Sequence, residues 1–339
     1  EMIGVPVGGQ INAPIATAEP VATAESSAPA IDTRVAPELN PITGVSWRIG
    51  GASGYEDEPV GHLEGVAYDA ERGRLYVADS FNSIMVLDET GEILDQFTTD
   101  SLFFSPSAVD IDANGNIYVG NNSFGDDEGR IIVFSPEGDV IHKYGREGTG
   151  DGEFGILSPS SLAVAADGTT YALDSNKDDA DETIYRIYKF SADGNLQAVI
   201  PINPDYSILS DTPLTVGADG FLYLAEWLNG MVIKMDGDGN VIKEISRGDA
   251  FFYPSIQGLD VDAAGNIYIV VWDEPVIIKL DQDGNELATF GFEVENGEAA
   301  WEAGGFYWPN SLAVSPDGNT LYVTDWSGDY AYLTAVDMR

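Results

Sequence analysis

The stretch PNSLAVSPDGNTLYVTDW, residues 309–326, decides the fold of this chain. It predicts two short β-strands, LAVS and TLYVTD, because Val, Leu, Tyr and Thr suit a pleated, half-buried surface. The PDGN between them predicts a tight turn, in which Asp317-Gly318 supplies the backbone conformation. This stretch is therefore interpreted as a β-hairpin.

The same pattern occurs five more times upstream of this hairpin. The copies are GVAYDAERGRLYVAD at Gly65, AVDIDANGNIYVGN at Ala108, SLAVAADGTTYALD at Ser161, PLTVGADGFLYLAE at Pro213 and GLDVDAAGNIYIVV at Gly258. Each second strand carries a tyrosine at the same place, namely Tyr76, Tyr118, Tyr171, Tyr223, Tyr268 and Tyr322. The spacings of 42, 53, 52, 45 and 54 residues are typical of propeller blades. The repeats predict an all-β, six-bladed β-propeller.

The two ends of the chain indicate how this ring closes. The sixth repeat stops at YLTAVDMR, after its third strand, where the other repeats turn through a glycine into a fourth strand. These turns are DETG at Asp88, SPEG at Ser135, SADG at Ser191, DGDG at Asp236 and DQDG at Asp281. VSWRIG, residues 45–50, resembles the end of a repeat and is predicted to supply the missing strand of the last blade. Such a join leaves no open sheet at the seam.

Composition excludes several classes of partner. The formal net charge is −42, from 57 acidic and 15 basic residues, so neither nucleic acid nor an anionic membrane surface is an expected partner. The chain has no cysteine, so disulfide and thiolate chemistry are absent. No apolar run approaches the length of a membrane span.

The first 41 residues differ from the rest of the chain. They are rich in Ala, Pro, Thr and Ser and contain no aromatic residue, which predicts an extended low-complexity tail in front of a propeller domain at 42–339. Because the chain begins at Glu1, we expect a processed, secreted or surface-exposed protein. The tail is either a spacer that tethers the propeller or a docking segment, since the Ile3-Val5-Val7 alternation suits a strand added to another sheet edge. In the second case the protein would form homopolymers through residues 1–41.

The repeats resemble those of the NHL family, whose pattern runs P-x-G-[IL]-A-V-x-x-x-G-N-[IL]-Y-V-[AT]-D. The matching stretches are SPSAVDIDANGNIYVGN, IQGLDVDAAGNIYIV and PNSLAVSPDGNTLYVTD, and the resemblance covers residues 42–339. It implies a propeller and is silent on activity, because propellers host binders and enzymes alike. NHL repeats often carry an arginine after the Asp, which only Arg130 and Arg186 approximate here, so a basic RNA-binding face is not supported.

Blade geometry predicts which residues surround the mouth of the central channel. One ring is formed by the starts of the inner strands: Glu64, Ser107, Ser160, Thr212, Gln257 and Asn310. A second ring is formed by the ends of the second strands: Asp79, Asn121, Asp174, Glu226, Val271 and Asp325. The simpler interpretation is that these side chains cap backbone groups and hold water, and the sharper one is that they bind a ligand.

A metal-dependent hydrolase is the alternative to a binding module. The repeats are also similar to gluconolactonase-like propellers, which hold a divalent cation through Glu, Asn and Asp, and Glu64 and Asn310 stand where such ligands would lie. The intervening Ser, Ser, Thr and Gln make a poor carboxylate cage, and His62 and His142 are interpreted as loop or surface residues. The non-catalytic binding module requires no cofactor. Calcium is an option in two acidic loops, at Asp126, Asp127, Asp178 and Asp179.

Aromatic residues cluster after the second strands of the last three blades. The predicted patch consists of Trp227, Trp272, Trp326, Tyr307 and Trp308. It either packs under the loops or forms an apolar platform for a glycan, a peptide, another surface protein or a second subunit. Together these features predict a non-catalytic structural or protein-binding module.

Overall fold

The structure is a computed structural model that describes residues 45–52, 61–80, 82–98, 105–122, 130–155, 158–177, 182–246, 255–271, 276–291, 305–327 and 330–339. Within these ranges the regular secondary structure consists of β-strands alone. These strands form six four-stranded antiparallel sheets and one short two-stranded pair. Each sequence repeat forms one sheet, and the sheets are arranged as the six blades of a β-propeller. The fold class predicted from the repeats is confirmed.

The blades follow the order of the chain, from the innermost strand outward. Blade one contains β2 (Leu63–Asp69), β3 (Arg74–Asp79), β4 (Ser83–Asp88) and β5 (Ile93–Phe97). Blade two contains β6 (Pro106–Ile111), β7 (Ile117–Asn121), β8 (Ile131–Phe134) and β9 (Val140–Tyr144). Blade three contains β12 (Leu162–Val164), β13 (Thr170–Lys177), β14 (Thr183–Phe190) and β15 (Leu196–Pro201).

The second half of the ring repeats this order. Blade four contains β16 (Leu214–Val216), β17 (Leu222–Glu226), β18 (Met231–Met235) and β19 (Val241–Ser246). Blade five contains β20 (Ile256–Val261), β21 (Ile267–Val271), β22 (Val276–Leu280) and β23 (Glu286–Phe290). Blade six contains β24 (Pro309–Val314), β25 (Thr320–Ser327), β26 (Tyr330–Asp337) and, outermost, β1 (Val45–Ala52). A short parallel pair, β10 (Arg146–Glu147) and β11 (Glu153–Phe154), lies between blades two and three.

The hydrophobic core lies between the blades rather than within them. Side chains alternate between the two faces of a strand, and each face of a blade packs on its neighbour. Buried residues accordingly form six clusters, one at each interface between adjacent blades. One of them joins blade six to blade one, through residues such as Tyr322 and Leu333 on one side and Leu75 and Met85 on the other. The ring of interfaces is therefore complete.

In blades four and five, packing and one hydrogen bond explain the tyrosine that marks the repeat. The rings of Tyr223 and Tyr268 are almost fully buried between blades. Their hydroxyls donate to the aspartates of their own hairpin turns, Tyr223 to Asp219 at 2.9 Å and Tyr268 to Asp262 at 3.1 Å. A phenol combines a large buried ring with a polar tip that reaches a partner, so tyrosine fits this position better than phenylalanine.

The N-terminal strand closes the last blade, as the sequence predicts. β1 pairs antiparallel with β26 from Val45 to Ala52. Trp47 ties this strand to blade one, because its indole N–H donates to the Glu89 carbonyl at 2.7 Å and its ring lies against Gly91. Gly50 adopts a φ of +128°, and a Cβ there would lie 2.0 Å from the Ala331 carbonyl oxygen. Only glycine fits this point of the pairing.

Removing β1 should unfold the ring cooperatively. A chain that begins at Gly51 lacks most of the strand that pairs with β26 and loses the contacts of Trp47 with blade one. We expect its thermal unfolding midpoint to fall by 10 °C or more, on the order of several kcal/mol of stability. Differential scanning calorimetry measures this directly.

A pair of glycine variants provides the control for this prediction. Gly50→Ala should destabilise the protein more than Gly220→Ala, because both glycines have positive φ but a Cβ at Gly220 meets no atom within 4 Å. If the chain beginning at Gly51 melted at the same temperature as one beginning at residue 42, β1 would not close the ring.

Candidate binding site at the channel mouth

The inner strands enclose a central cavity of about 690 Å³. Five of the six residues that start these strands line it: Glu64, Ser107, Ser160, Gln257 and Asn310. Thr212 does not, because it is buried and its hydroxyl accepts the Leu209 N–H at 2.8 Å. The structure therefore brings most of the predicted first ring together around one opening.

A polar group bridges blades six and one at this opening. The imidazole Nδ1 of His62 lies 3.1 Å from Glu64 Oε1 and 3.0 Å from the Ser80 hydroxyl. The side-chain amide of Asn310 donates to Glu64 Oε2 at 3.3 Å and to the Glu64 carbonyl at 3.2 Å. The side chains of His62 and Glu64 are 26% and 30% exposed, so a ligand in the mouth can reach both.

The second predicted ring has a different position. Asp79, Asp174 and Asp325 are buried, and each accepts hydrogen bonds from backbone N–H groups of the segment that leads into its own blade. Asp325, for example, accepts the Trp308 N–H at 2.7 Å, and Asp174 accepts the Gly155 N–H at 2.7 Å. Burial raises the pKa of Asp174 and of Asp325, and these hydrogen bonds oppose the rise. These carboxylates hold the loops around the mouth and do not line the cavity.

Three of the predicted aromatic residues lie beside the polar group. The ring of Trp326 meets His62 edge-on at a centroid distance of 4.1 Å. The ring centroids of Trp308 and Trp326 are 6.1 Å apart, and those of Tyr307 and Trp308 are 5.3 Å apart. Tyr307 and Trp308 are each 39% exposed. Aromatic rings and hydrogen-bonding side chains therefore meet at one rim of the opening, which we call the mouth seam: His62, Glu64, Asn310, Tyr307, Trp308 and Trp326.

Other residues of the aromatic patch and of the acidic loops do not join the mouth seam. Trp227 is 38% exposed in blade four and makes no ring contact with the seam among the residues that the structure describes. Outside the described residues lie Trp272, Asp126, Asp127, Asp178 and Asp179. Across the described ranges, no three His, Asp or Glu side chains are grouped closely enough to hold a metal ion. No helix in these ranges is long and apolar enough to cross a membrane.

His62 is the functional candidate that sequence reasoning missed. The sequence predicts a loop or surface residue here, because two histidines are too few for a zinc site. The available signal was its position two residues before Glu64, since side chains two apart in an extended segment point to the same side. The residues that His62 and Glu64 contact on blade six are set by the packing of blade six against blade one. No local sequence pattern predicts these contacts.

Two carboxylates lie deeper in the channel. Asp110 of blade two and Asp260 of blade five stand at equivalent places, each opposite the repeat tyrosine of its blade. Each accepts a backbone N–H of the next inner strand, Asp110 from Val164 at 2.7 Å and Asp260 from Val314 at 2.8 Å. Burial raises the pKa of Asp110 to about 7 and that of Asp260 to about 6. The charge of Asp260 adds to the rise at Asp110.

This pair predicts that stability falls between about pH 4 and about pH 7. The folded-state pKa values lie above the ordinary value of 3.8, so the folded protein holds more protons than the unfolded chain in this window. The stability that these protons supply is lost as the pH rises through about 6 and then about 7. Urea unfolding at each pH should show a midpoint that decreases with pH.

The double variant Asp110→Asn, Asp260→Asn should flatten this dependence, because the amide oxygen still accepts a backbone N–H and does not ionise. Asp95→Asn is the matched control, since Asp95 lies exposed on an outermost strand. A double variant with the same pH slope as the unmodified protein would show that the channel carboxylates do not cause it.

Comparisons with known proteins place this fold among enzymes and proteins of unknown function. No family model and no curated protein matches the sequence. A solved streptogramin B lyase is similar, with 14% identity, a TM-score of 0.55 and coverage of 85% of this chain and 97% of the lyase. Virginiamycin B lyase from Staphylococcus aureus has 12% identity and a TM-score of 0.54, over 86% of this chain and 99% of its own. A structural genomics protein of unknown function from Bacteroides thetaiotaomicron has 14% identity and a TM-score of 0.57, over 87% of this chain and 75% of its own.

These similarities concern the fold alone. At such identities a shared propeller carries no information about activity. The resemblance of the repeats to the NHL family stays a prediction.

Proposed function

We propose that this chain is an NHL-like propeller that works outside the cell or on its surface as a non-catalytic binding module, with its ligand at the mouth seam. One observation carries the proposal. Glu64 and Asn310 line the central cavity, His62 contacts Glu64 and the ring of Trp326, and Trp326 in turn adjoins Trp308.

This combination is the usual composition of a ligand site. Aromatic side chains contribute large apolar contact, and a few placed polar groups fix the orientation of the ligand. The cavity of about 690 Å³ lies within the range of small-molecule and side-chain pockets. The partners that fit are a second surface protein, a glycan or a smaller molecule that inserts one group into the channel.

The alternative function, a metal-dependent lactonase-like hydrolase, has less support from the residues present. A divalent cation prefers several oxygen ligands with carboxylates among them. In the first ring Glu64 is the single carboxylate, and its two oxygens already face His62 and Asn310. The lyases among the similar structures do not alter this argument, because the similarity extends to the fold alone.

Substitutions at the mouth seam test both functions. Glu64→Gln and Asn310→Ala should leave the fold intact by circular dichroism and should abolish the thermal shift that a bound ligand causes. Glu137→Gln, in an exposed turn of blade two, changes the net charge by the same amount and should keep the shift. Candidate ligands are drawn from glycan, peptide and small-molecule panels.

The same variants examine catalysis. We expect no turnover of lactones by the unmodified protein and no stoichiometric divalent ion in elemental analysis. Lactone hydrolysis that either substitution abolishes would establish the hydrolase instead. Ligand shifts that neither substitution alters would place the binding site elsewhere on the protein.

A second candidate function, self-assembly through the tail, is favoured by the rim of the propeller. The outermost strands begin with exposed apolar residues on the face of the glycine turns: Ile93, Leu94, Val140, Ile141, Leu196, Val241, Ile242 and Leu287, between 38% and 53% exposed. The chain enters the propeller on this face, because Val45 pairs with Val336 near the end of β26. Residues 2–18 carry no charged side chain, so this segment itself adds no repulsion when it approaches a copy that carries a charge of −42.

On this proposal residues 1–41 of one copy dock on the outermost strands of a second copy, and repetition of the contact builds a filament. Ordering the tail costs about 1 kcal/mol or more per residue, which contacts outside the segment must offset. Salt screens the charge of the propellers, so assembly should strengthen as ionic strength rises.

Deletion of residues 1–41 tests self-assembly. The intact protein should form particles that grow with protein and salt concentration in dynamic light scattering, and the deleted protein should stay monomeric under the same conditions. Scrambling residues 2–18 at constant composition is the matched control and should also prevent growth. If the deleted protein formed the same particles as the intact one, the tail would act as a spacer.

A further inference from the structure

We propose that the ligand of the mouth seam is an organic cation, whose ammonium or guanidinium head enters the channel while its apolar body lies against Trp308 and Trp326. This inference rests on the proposed binding function and names the chemical class of the ligand. It is carried by the charges that face the cavity, by the contacts of Glu64 and by the rings at the rim.

The first argument is the charge balance of the cavity. Among the described lining residues there are seven carboxylates and one basic side chain, Arg72. Arg72 is occupied, because its guanidinium contacts Asp69 Oδ2 at 2.9 Å and donates to the Asn114 carbonyl at 2.6 Å. Asp69 is the last residue of β2 and Asn114 lies in the hairpin turn of blade two, so both partners are at the end of the inner strands opposite to Glu64. A low-dielectric channel lined by one sign of charge concentrates ions of the opposite sign.

The second argument concerns the deep carboxylates. Asp110 and Asp260 line a channel that contains no lysine among its described lining residues. Each is held in place by a backbone N–H of the next blade, and Thr215 lies 3.3 Å from Asp260. Fixed carboxylates of this kind favour a bound cation and disfavour an anion, since the first relieves their mutual repulsion and the second adds to it.

The third argument is the composition of the rim. Glu64 offers a half-exposed carboxylate that His62 and Asn310 hold in one orientation. Trp326 packs edge-on against His62, and Trp308 adjoins Trp326 with an exposed ring. Tryptophan is the side chain that attracts organic cations most strongly through its ring face, and a carboxylate beside such rings completes a site for a charged head with an apolar body.

The same rim distinguishes an organic cation from a metal ion. Hard divalent cations are bound by oxygen atoms in a compact shell and gain little from indole rings. Glu64 supplies the one carboxylate of the first ring, and the tryptophans occupy the side of the rim next to it. An alkylammonium or guanidinium group can use the carboxylate and the rings at once.

Three ligands of the same shape test the inference on the full chain: benzylammonium, benzyl alcohol and benzoate. Ligand-detected NMR titrations at pH 7.5 give the affinity of each. We expect benzylammonium to bind about tenfold more tightly than benzyl alcohol, and benzoate to show no binding. Glu64→Gln should weaken benzylammonium about tenfold and leave benzyl alcohol unchanged, whereas Glu137→Gln, with the same change of net charge, should have no effect on either.

Further outcomes separate this inference from the function on which it rests. Equal binding of all three ligands, lost in Trp326→Phe, would keep the binding site and overturn its selectivity for cations. Binding of benzylammonium that Glu64→Gln and Glu137→Gln weaken equally would reflect the net charge and would also overturn the inference. Binding of calcium chloride, with no binding of benzylammonium, would overturn it in favour of a metal site.

Discussion

Packing between neighbouring blades is the interaction on which the rest of this structure depends. Each of the six hydrophobic clusters is shared by two blades, so a single blade cannot bury its own apolar faces. A row of such units leaves two uncovered ends, and the contact between blades six and one removes both. The strand formed by Val45–Ala52 completes this contact because Trp47 reaches across to the Glu89 carbonyl of blade one.

Closure of the ring also creates the mouth seam. Glu64 and Asn310 are 246 residues apart in the chain and are joined by two hydrogen bonds across the seam. The segments that carry them are held by buried carboxylates at the ends of the second strands. Asp79 and Asp325, for example, accept backbone N–H groups of these incoming loops. Two sets of polar side chains thus surround one opening: the buried ring sets the loops, and the partly exposed ring faces the channel.

Two carboxylates dominate the electrostatics of the channel. The carboxylates of Asp110 and Asp260 each link their own blade to the next through a backbone N–H, and burial raises the pKa of both. They therefore strengthen contacts between inner strands, and the cost of burying their charged forms grows with pH. On the proposal of a cationic ligand, a cation in the channel would offset this cost, and its binding would stabilise the ring.

The sequence by itself determined the number of blades, the order of their strands and the closing role of residues 45–50, because these depend on local alternation, turn chemistry and a repeat length. It also predicts Glu64 and Asn310 at the starts of inner strands and groups Trp308 and Trp326 in one aromatic patch, since the strands and their connections are visible in the repeats. Only the tertiary structure decided which of them meet. The members of the first predicted ring are equivalent by repeat position, yet Thr212 is buried against the Leu209 N–H while Glu64 lines the cavity. His62 is a candidate because its ring contacts Trp326 of blade six and its Nδ1 lies within hydrogen-bond distance of the Ser80 hydroxyl. Such contacts depend on side-chain direction and on the packing of residues that are distant in the chain, and the period of a repeat specifies neither.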